Sequence, residues 1–429
     1  MILNTFSAST VARMIATGET SSEAVVDACL ARIAEREPSV HAWAFIDPEH
    51  RMEEARQRDR SAPVGPLHGV PIAVKDIIDT CDMPTAMGSP IYAGHQPLAD
   101  AACVAIVRKA GAVILGKTVT AEFASPAPGQ TVNPHNGKHT PGGSSSGSAA
   151  AVADFMVPAA FGTQTGGSVL RPSSYCGIVG FKPTFGTFNL AGVKPAAQSL
   201  DTLGLHARSL EDIELLSAVL VGREPQHLSI PPTPPTIGLY RTPLWQHALP
   251  ETISAIDDAA ACLTSAGCKV VEVKLPDAFD ELDSTRLQIQ TYERSRGMAW
   301  EWTHHKDRLG TLLREEIERG LAVSFEAYAS AVQKSEGMRS MIDQAISPFD
   351  ALLVPAADGA APVGTASTGN ARFQGFWTFL RLPAITLPTH TAPNGLPVGI
   401  QLIGHRHGDR ELLGVAQWVF ERARAESLP

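Results

Sequence analysis

Short runs of β-branched and aliphatic residues recur along the chain at positions 70–74, 112–115, 236–240, 269–273, 352–355, 384–388 and 399–403. Each is four or five residues long and bounded by turn formers, the pattern of buried strands. Between them lie longer stretches in which apolar positions return every three or four residues, so strands alternate with helices. That alternation predicts an α/β fold with a large, mainly parallel sheet covered by helices. Residues 8–37 read as two helices. The second opens on Thr20-Ser21-Ser22-Glu23, which has capping-box spacing, and carries Val25, Ala28, Cys29 and Ile33 on one stripe. Residues 276–346, rich in Glu, Arg, Leu and aromatics including Trp300 and Trp302, read as a helical insertion suited to wall a pocket. The proline-rich stretch 231–235 has the composition of a linker, but strands on both sides favour a crossover within one sheet.

Composition narrows the function. Apolar residues make up 44% and charged residues 18% of 429 positions, enough for a large core and too little charge for a disordered chain. The formal net charge of −9 and the lack of a long basic run argue against nucleic acid or an anionic membrane surface as partner. A small molecule is expected instead. No apolar run reaches the roughly 18 residues of a membrane helix, the N-terminus lacks signal-peptide character, and the six cysteines form no CxxC pair, so a cytoplasmic protein with reduced thiols is expected.

Three glycine-rich clusters compete as sites of chemistry. Gly111 to Thr118 satisfies GxxxxGK[ST], yet Ala112-Val-Ile-Leu115 is strand sequence where a phosphate loop needs a flexible turn, so Lys117 is read as a decoy. Gly143-Ser144-Ser145-Ser146-Gly147 satisfies GxSxG, but the preceding residues 133–141 are turn formers and no strand delivers Ser145 as a nucleophile elbow. In Gly162-Thr-Gln-Thr-Gly-Gly-Ser168 an apolar run does lead to the serine, and two glycines before it let backbone N–H groups converge as an oxyanion hole requires. Taken alone, Gly-Gly-Ser is more often an ordinary tight turn. The histidine pairs at 304–305 and 405–407 lack metal-site spacing, and no metal or organic cofactor is expected.

Together, Gly65-Pro-Leu-His-Gly-Val-Pro-Ile-Ala-Val-Lys75-Asp76, Pro141-Gly-Gly-Ser-Ser-Ser-Gly-Ser148 and the Ser168 cluster resemble the amidase signature family, and the resemblance continues through Asp201-Thr-Leu-Gly204 and residues 394–401. It implies one domain over 1–429, a catalytic core at about 65–215, and a mixed, mostly parallel central sheet sandwiched by helices. The spacings of 69 positions (75 to 144) and 24 positions (144 to 168) match the family's catalytic set. By that match Ser168 is the acyl-enzyme nucleophile, Ser144 a bridging serine after a cis peptide, and Lys75 the base, with Thr165, Gly166, Gly167 and Ser168 lining the oxyanion hole. A lysine acts as base only when neutral, and burial among Ile72, Ala73 and Val74 favours that form.

The version Gln164-Thr-Gly-Gly-Ser-Val-x-Arg171-Pro, together with Asn133-Pro-His-Asn136, is similar to the malonamidase branch, which implies that Arg171 grips a substrate carboxylate. A structural arginine neutralising a buried aspartate is the alternative. Ser145 and Gln164 complete the expected substrate-binding set, while Ser145 and Ser146 equally suit supporting hydrogen bonds. The expected reaction is hydrolysis of a small carboxylate-bearing amide such as malonamate, with water as co-substrate. A ureido-acid hydrolase and a glutaminase-type subunit of a transamidating complex are the alternatives, and a homodimer is left open.

Overall fold

The structure is a computed structural model that describes residues 2–423. Its centre is one eleven-stranded sheet made of β1 (Trp43–Ile46), β2 (Pro71–Lys75), β3 (Val113–Thr118), β4 (Ala159–Gln164), β5 (Val179–Lys182), β6 (Thr202–Ala207), β7 (Thr236–Leu239), β8 (Lys269–Glu272), β9 (Ala351–Pro355), β10 (Ala384–Thr391) and β11 (Pro397–Ile403). Spatial order is β1-β3-β2-β4-β6-β5-β10-β11-β9-β7-β8. All seven runs read as strands are strands here. Strands β7 to β9 rejoin the same sheet beyond the proline-rich stretch, as a crossover requires.

The sheet is mixed and flanked by helices, as expected, but the balance of directions is not. Among the described pairings β3, β2 and β4 run parallel, as do β9, β7 and β8, whereas the other six pairings are antiparallel. Two short parallel blocks are thus joined through an antiparallel middle. The reason is β5 and β6, which the pattern missed. They insert antiparallel neighbours between β4 and β10, and their pairing depends on contacts far apart in sequence.

Residues 8–37 form two helices, Ala8–Ala16 and Ser22–Val40, the second capped by Ser21, whose side chain accepts from the N–H of Ala24. The 276–346 segment is helical, with Leu282–Gly297, Ala299–His305, Thr311–Leu321 and Phe325–Ile346. Its apolar face, including Phe279, Leu282, Ile289, Met338 and Ile342, packs with Phe376, Trp377 and Phe379 of the helix Arg372–Phe379 in a second core cluster. The insertion is therefore anchored to the element that flanks the Ser168 loop. No helix among the described residues is long and apolar enough to cross a membrane.

Candidate active site

Lys75 is the last residue of β2, between β3 and β4, and Thr165 to Ser168 follow the end of β4. In open α/β sheets, crevices form beyond the carboxyl ends of parallel strands. Here the peptide between Gly143 and Ser144 is cis, and the helix Ser146–Ala153 begins two residues later. The N–H of Ser145 donates to the carbonyl of Ser168 at 3.3 Å, so the two serine segments lie side by side.

Lys75 is fully buried. Its Nζ donates to Ser144 Oγ at 2.8 Å and to Thr163 Oγ1 at 2.9 Å, and no carboxylate lies within ion-pair distance among the described residues. A charged ammonium without a carboxylate partner costs several kcal/mol in such a setting, so burial lowers the Lys75 pKa well below its ordinary value. The charge of Asp201 opposes that shift and the charge of Arg294 adds to it. Asp201 is itself held by Thr165 Oγ1 at 2.5 Å and by the N–H groups of Ala196 and Ala197. The buried His206 bonds Ser173 through Nδ1, and burial and Lys75 push its pKa down to about 3, so it stays neutral.

A cavity of about 350 Å³ opens over this floor. Ser144, Thr165, Gly166, Gly167, Ser168 and Arg171 line it, and Asp283, Arg286, Leu287, Gln290 and Arg294 of the helix Leu282–Gly297 form one wall. The helical insertion therefore does wall the pocket. Outside strands and helices, the N–H groups of Gly166, Gly167 and Ser168 donate to no other described residue, which leaves them free for an incoming oxygen. Lys75 and Ser144 are joined directly, whereas no hydrogen bond links the Ser144 and Ser168 hydroxyls.

Arg171 is 4% exposed, and no carboxylate among the described residues lies within ion-pair distance of it, although the charge of Asp358 acts on it. Its Nε donates to the carbonyl of Thr368 at 2.7 Å and its Nη2 to the carbonyl of Gly143 at 2.6 Å. The third nitrogen, Nη1, is buried without a partner on a residue that lines the cavity. Arg286, Arg294 and Arg372, in contrast, are paired with Asp283, Glu316 and Asp358.

Two expected substrate contacts are displaced. Gln164 is fully buried, with Oε1 accepting from the N–H groups of Val169 and Leu170 at 2.9 and 3.0 Å and Nε2 donating to Thr378. A β-strand alternates its faces, and at the end of β4 the Gln164 side chain turns to cap the following helix rather than line the cavity. Ser145 is likewise buried, exchanging hydrogen bonds with the backbone of Thr163 at 3.3 Å. The supporting role weighed for it is the one it has. Thr368, Arg286 and Thr378 were not legible as site residues, because none stands in a motif with Ser168, whereas Thr163 lies in the Ser168 cluster without a residue type that marks it as a lysine partner.

Lys117 is a strand residue of β3, ion-paired with Asp76 at 3.3 Å. A Cβ on Gly116 would meet the carbonyl of Phe45 at 2.6 Å, so this glycine admits β1 rather than a phosphate.

The Amidase family matches residues 24–413. A glutamyl-tRNA(Gln) amidotransferase subunit from Lawsonia intracellularis is 32% identical over 455 residues, covering 92% of this chain and 93% of that protein. Among solved structures, 6-aminohexanoate cyclic dimer hydrolase complexed with substrate superposes with a TM-score of 0.89 at 25% identity, covering 99% of this chain and 98% of that one. The peptide amidase of Stenotrophomonas maltophilia does so at 0.83 and 29%, covering 98% and 97%.

Proposed function

Because the chain belongs to the amidase family, we propose that it hydrolyses the C–N bond of a small amide bearing a carboxylate, malonamate being the model substrate, through an acyl-enzyme on Ser168. Ser168 Oγ attacks the amide carbon while its proton passes to Ser144 Oγ and the Ser144 proton passes to neutral Lys75. The N–H groups from Thr165 to Ser168 hold the oxyanion. As the C–N bond breaks, Lys75 returns the proton through Ser144 to the leaving nitrogen, which departs as ammonia. Water then attacks the ester by the same relay, breaking its bond to Ser168 and releasing the acid. The scheme needs no metal or organic cofactor.

The observation that carries this reading is the buried bond from Lys75 to Ser144, made without a carboxylate that would keep the lysine charged. The unpartnered Nη1 of Arg171 supports a carboxylate on the substrate, since it leaves a charge-assisted donor for that group. The malonamidase-like part of the reading rests on Arg171 and its motif, not on the relatives.

A second reading, a glutaminase-type subunit that feeds ammonia to a partner protein, is favoured by the amidotransferase relative. The purified chain assayed alone on malonamate, a ureido acid, a neutral amide and glutamine separates the two. Turnover of malonamate with none of glutamine supports the stand-alone amidase. Glutamine turnover only, or silence on all four substrates, contradicts it.

A further inference from the structure

The loop that carries Ser168 is gripped from behind by the helix Arg372–Phe379. Thr378, 1% exposed, donates its hydroxyl hydrogen to the carbonyl oxygen of Gly166 at 2.7 Å. The same hydroxyl accepts from Gln164 Nε2 at 3.0 Å, and Gln164 Oε1 in turn holds the N–H groups of Val169 and Leu170 beyond the nucleophile. One turn earlier, Gln374 donates to the carbonyl of Ala356 and rests its oxygen on Gly167, where a Cβ would come within 2.6 Å of it. A side chain at 167 would therefore push the Gln374 amide out of place.

The peptide between Gly166 and Gly167 is trans, so its C=O and N–H point in opposite directions. Thr378 draws the carbonyl toward the helix, and the opposing N–H of Gly167 is left without an acceptor on a residue that lines the cavity. A peptide with a free carbonyl rotates easily about its flanking glycine torsions. One with its carbonyl pinned does not.

We infer that Thr378 is a positioning residue for amide hydrolysis, its hydroxyl fixing the peptide plane that aims the N–H of Gly167 at the oxyanion, with Gln164 holding Thr378 in place. The inference rests on the reading of Ser168 as nucleophile. Thr378 touches no reacting atom and acts through Gly166. Gln164, which its place four residues before Ser168 suggested as a substrate contact, serves the same loop from the far side.

The test measures kcat and KM of Thr378→Val and Thr378→Ser on the best small amide and on its thioamide, with melting temperatures as a check on folding. Loss of an aligned oxyanion donor predicts that Thr378→Val lowers kcat about ten- to hundredfold while KM stays within about twofold. The loss is smaller on the thioamide, because sulfur accepts hydrogen bonds weakly and relies less on the donor. Thr378→Ser restores kcat to within about threefold of wild type. Wild-type kcat in Thr378→Val, equal losses on amide and thioamide, or a loss that serine leaves unrepaired would each overturn the inference. Where valine prevents folding, Thr378→Ala is read in the same way. An active Ser168→Ala protein removes the nucleophile reading and this inference with it. An inactive Ser168→Ala beside a fully active Thr378→Val removes this inference alone.

Discussion

Lys75 at the end of β2 and Lys117 on the adjoining β3 are both fully buried, yet only Lys117 faces a carboxylate. Lys117 bonds Asp76 at 3.3 Å, Thr85 Oγ1 at 2.6 Å and the carbonyl of Pro84, so burial lowers its pKa while Asp76 works against that change. Lys75 bonds two hydroxyls and no carboxylate, and desolvation outweighs the opposing charge of Asp201. The same residue type at adjoining places in one sheet is thus a structural cation in one case and a candidate base in the other. The deciding difference is the partner, since burial is equal.

The largest effect that tests this contrast is loss of the base. Lys75→Ala is expected to lower kcat/KM by roughly 10⁴-fold or more at every pH, on the scale of removing a member of a concerted catalytic set. Lys117→Met is expected to leave kcat of the folded protein close to wild type but to destabilise it by about 3–5 kcal/mol, because Asp76 is left buried and unpaired. Urea unfolding and single-turnover kinetics on both variants check the pair. An inactive but stable Lys117→Met would erase the distinction.

A smaller effect concerns Arg171, another buried cation without a carboxylate within ion-pair distance among the described residues. Arg171→Ala is expected to cost about ten- to hundredfold more in kcat/KM on malonamate than on a neutral amide of similar size, the difference one charge-assisted hydrogen bond makes. Equal losses on the two substrates would take Arg171 out of substrate recognition.

Smallest is the electrostatic tuning of Lys75, read from the pH profile of kcat/KM. Activity needs the neutral lysine, so it falls on the acid side as Lys75 takes up a proton. Asp201 raises the Lys75 pKa and Arg294 lowers it. Removing the negative charge in Asp201→Asn therefore disfavours the protonated form and moves the acid limb to lower pH, whereas Arg294→Met moves it to higher pH. Identical profiles for wild type and both variants would show that another group governs the limb.

Part of this contrast is legible in the amino-acid sequence. Lys75 and Lys117 each sit in a recognisable motif, and Lys117 sits in the better-known one. Its neighbours Ala112 to Leu115 identified that motif as strand, and the match of the Lys75, Ser144 and Ser168 spacings to the amidase signature family marked the other as a candidate site. Strands with β-branched runs were legible from local pattern, whereas β5 and β6 are interrupted by Gly180 and Lys182 and by Gly204 and His206, and the antiparallel middle of the sheet depends on pairings between distant segments. Arg171 was singled out by the resemblance of its motif to the malonamidase branch. Thr378 was not, because it reaches Gly166 from 212 positions away. Gln164 was misplaced for the complementary reason, since proximity in sequence does not tell which face of a strand end a side chain takes.

The central claim is that Ser168 is the nucleophile and that Lys75 activates it through Ser144. Its most direct test is the intact and peptide mass of the protein after treatment with a fluorophosphonate. One covalent adduct is expected, mapped to Ser168, that is absent in Ser168→Ala and strongly slowed in Lys75→Ala. Unchanged labelling of the Ser168→Ala protein would contradict it.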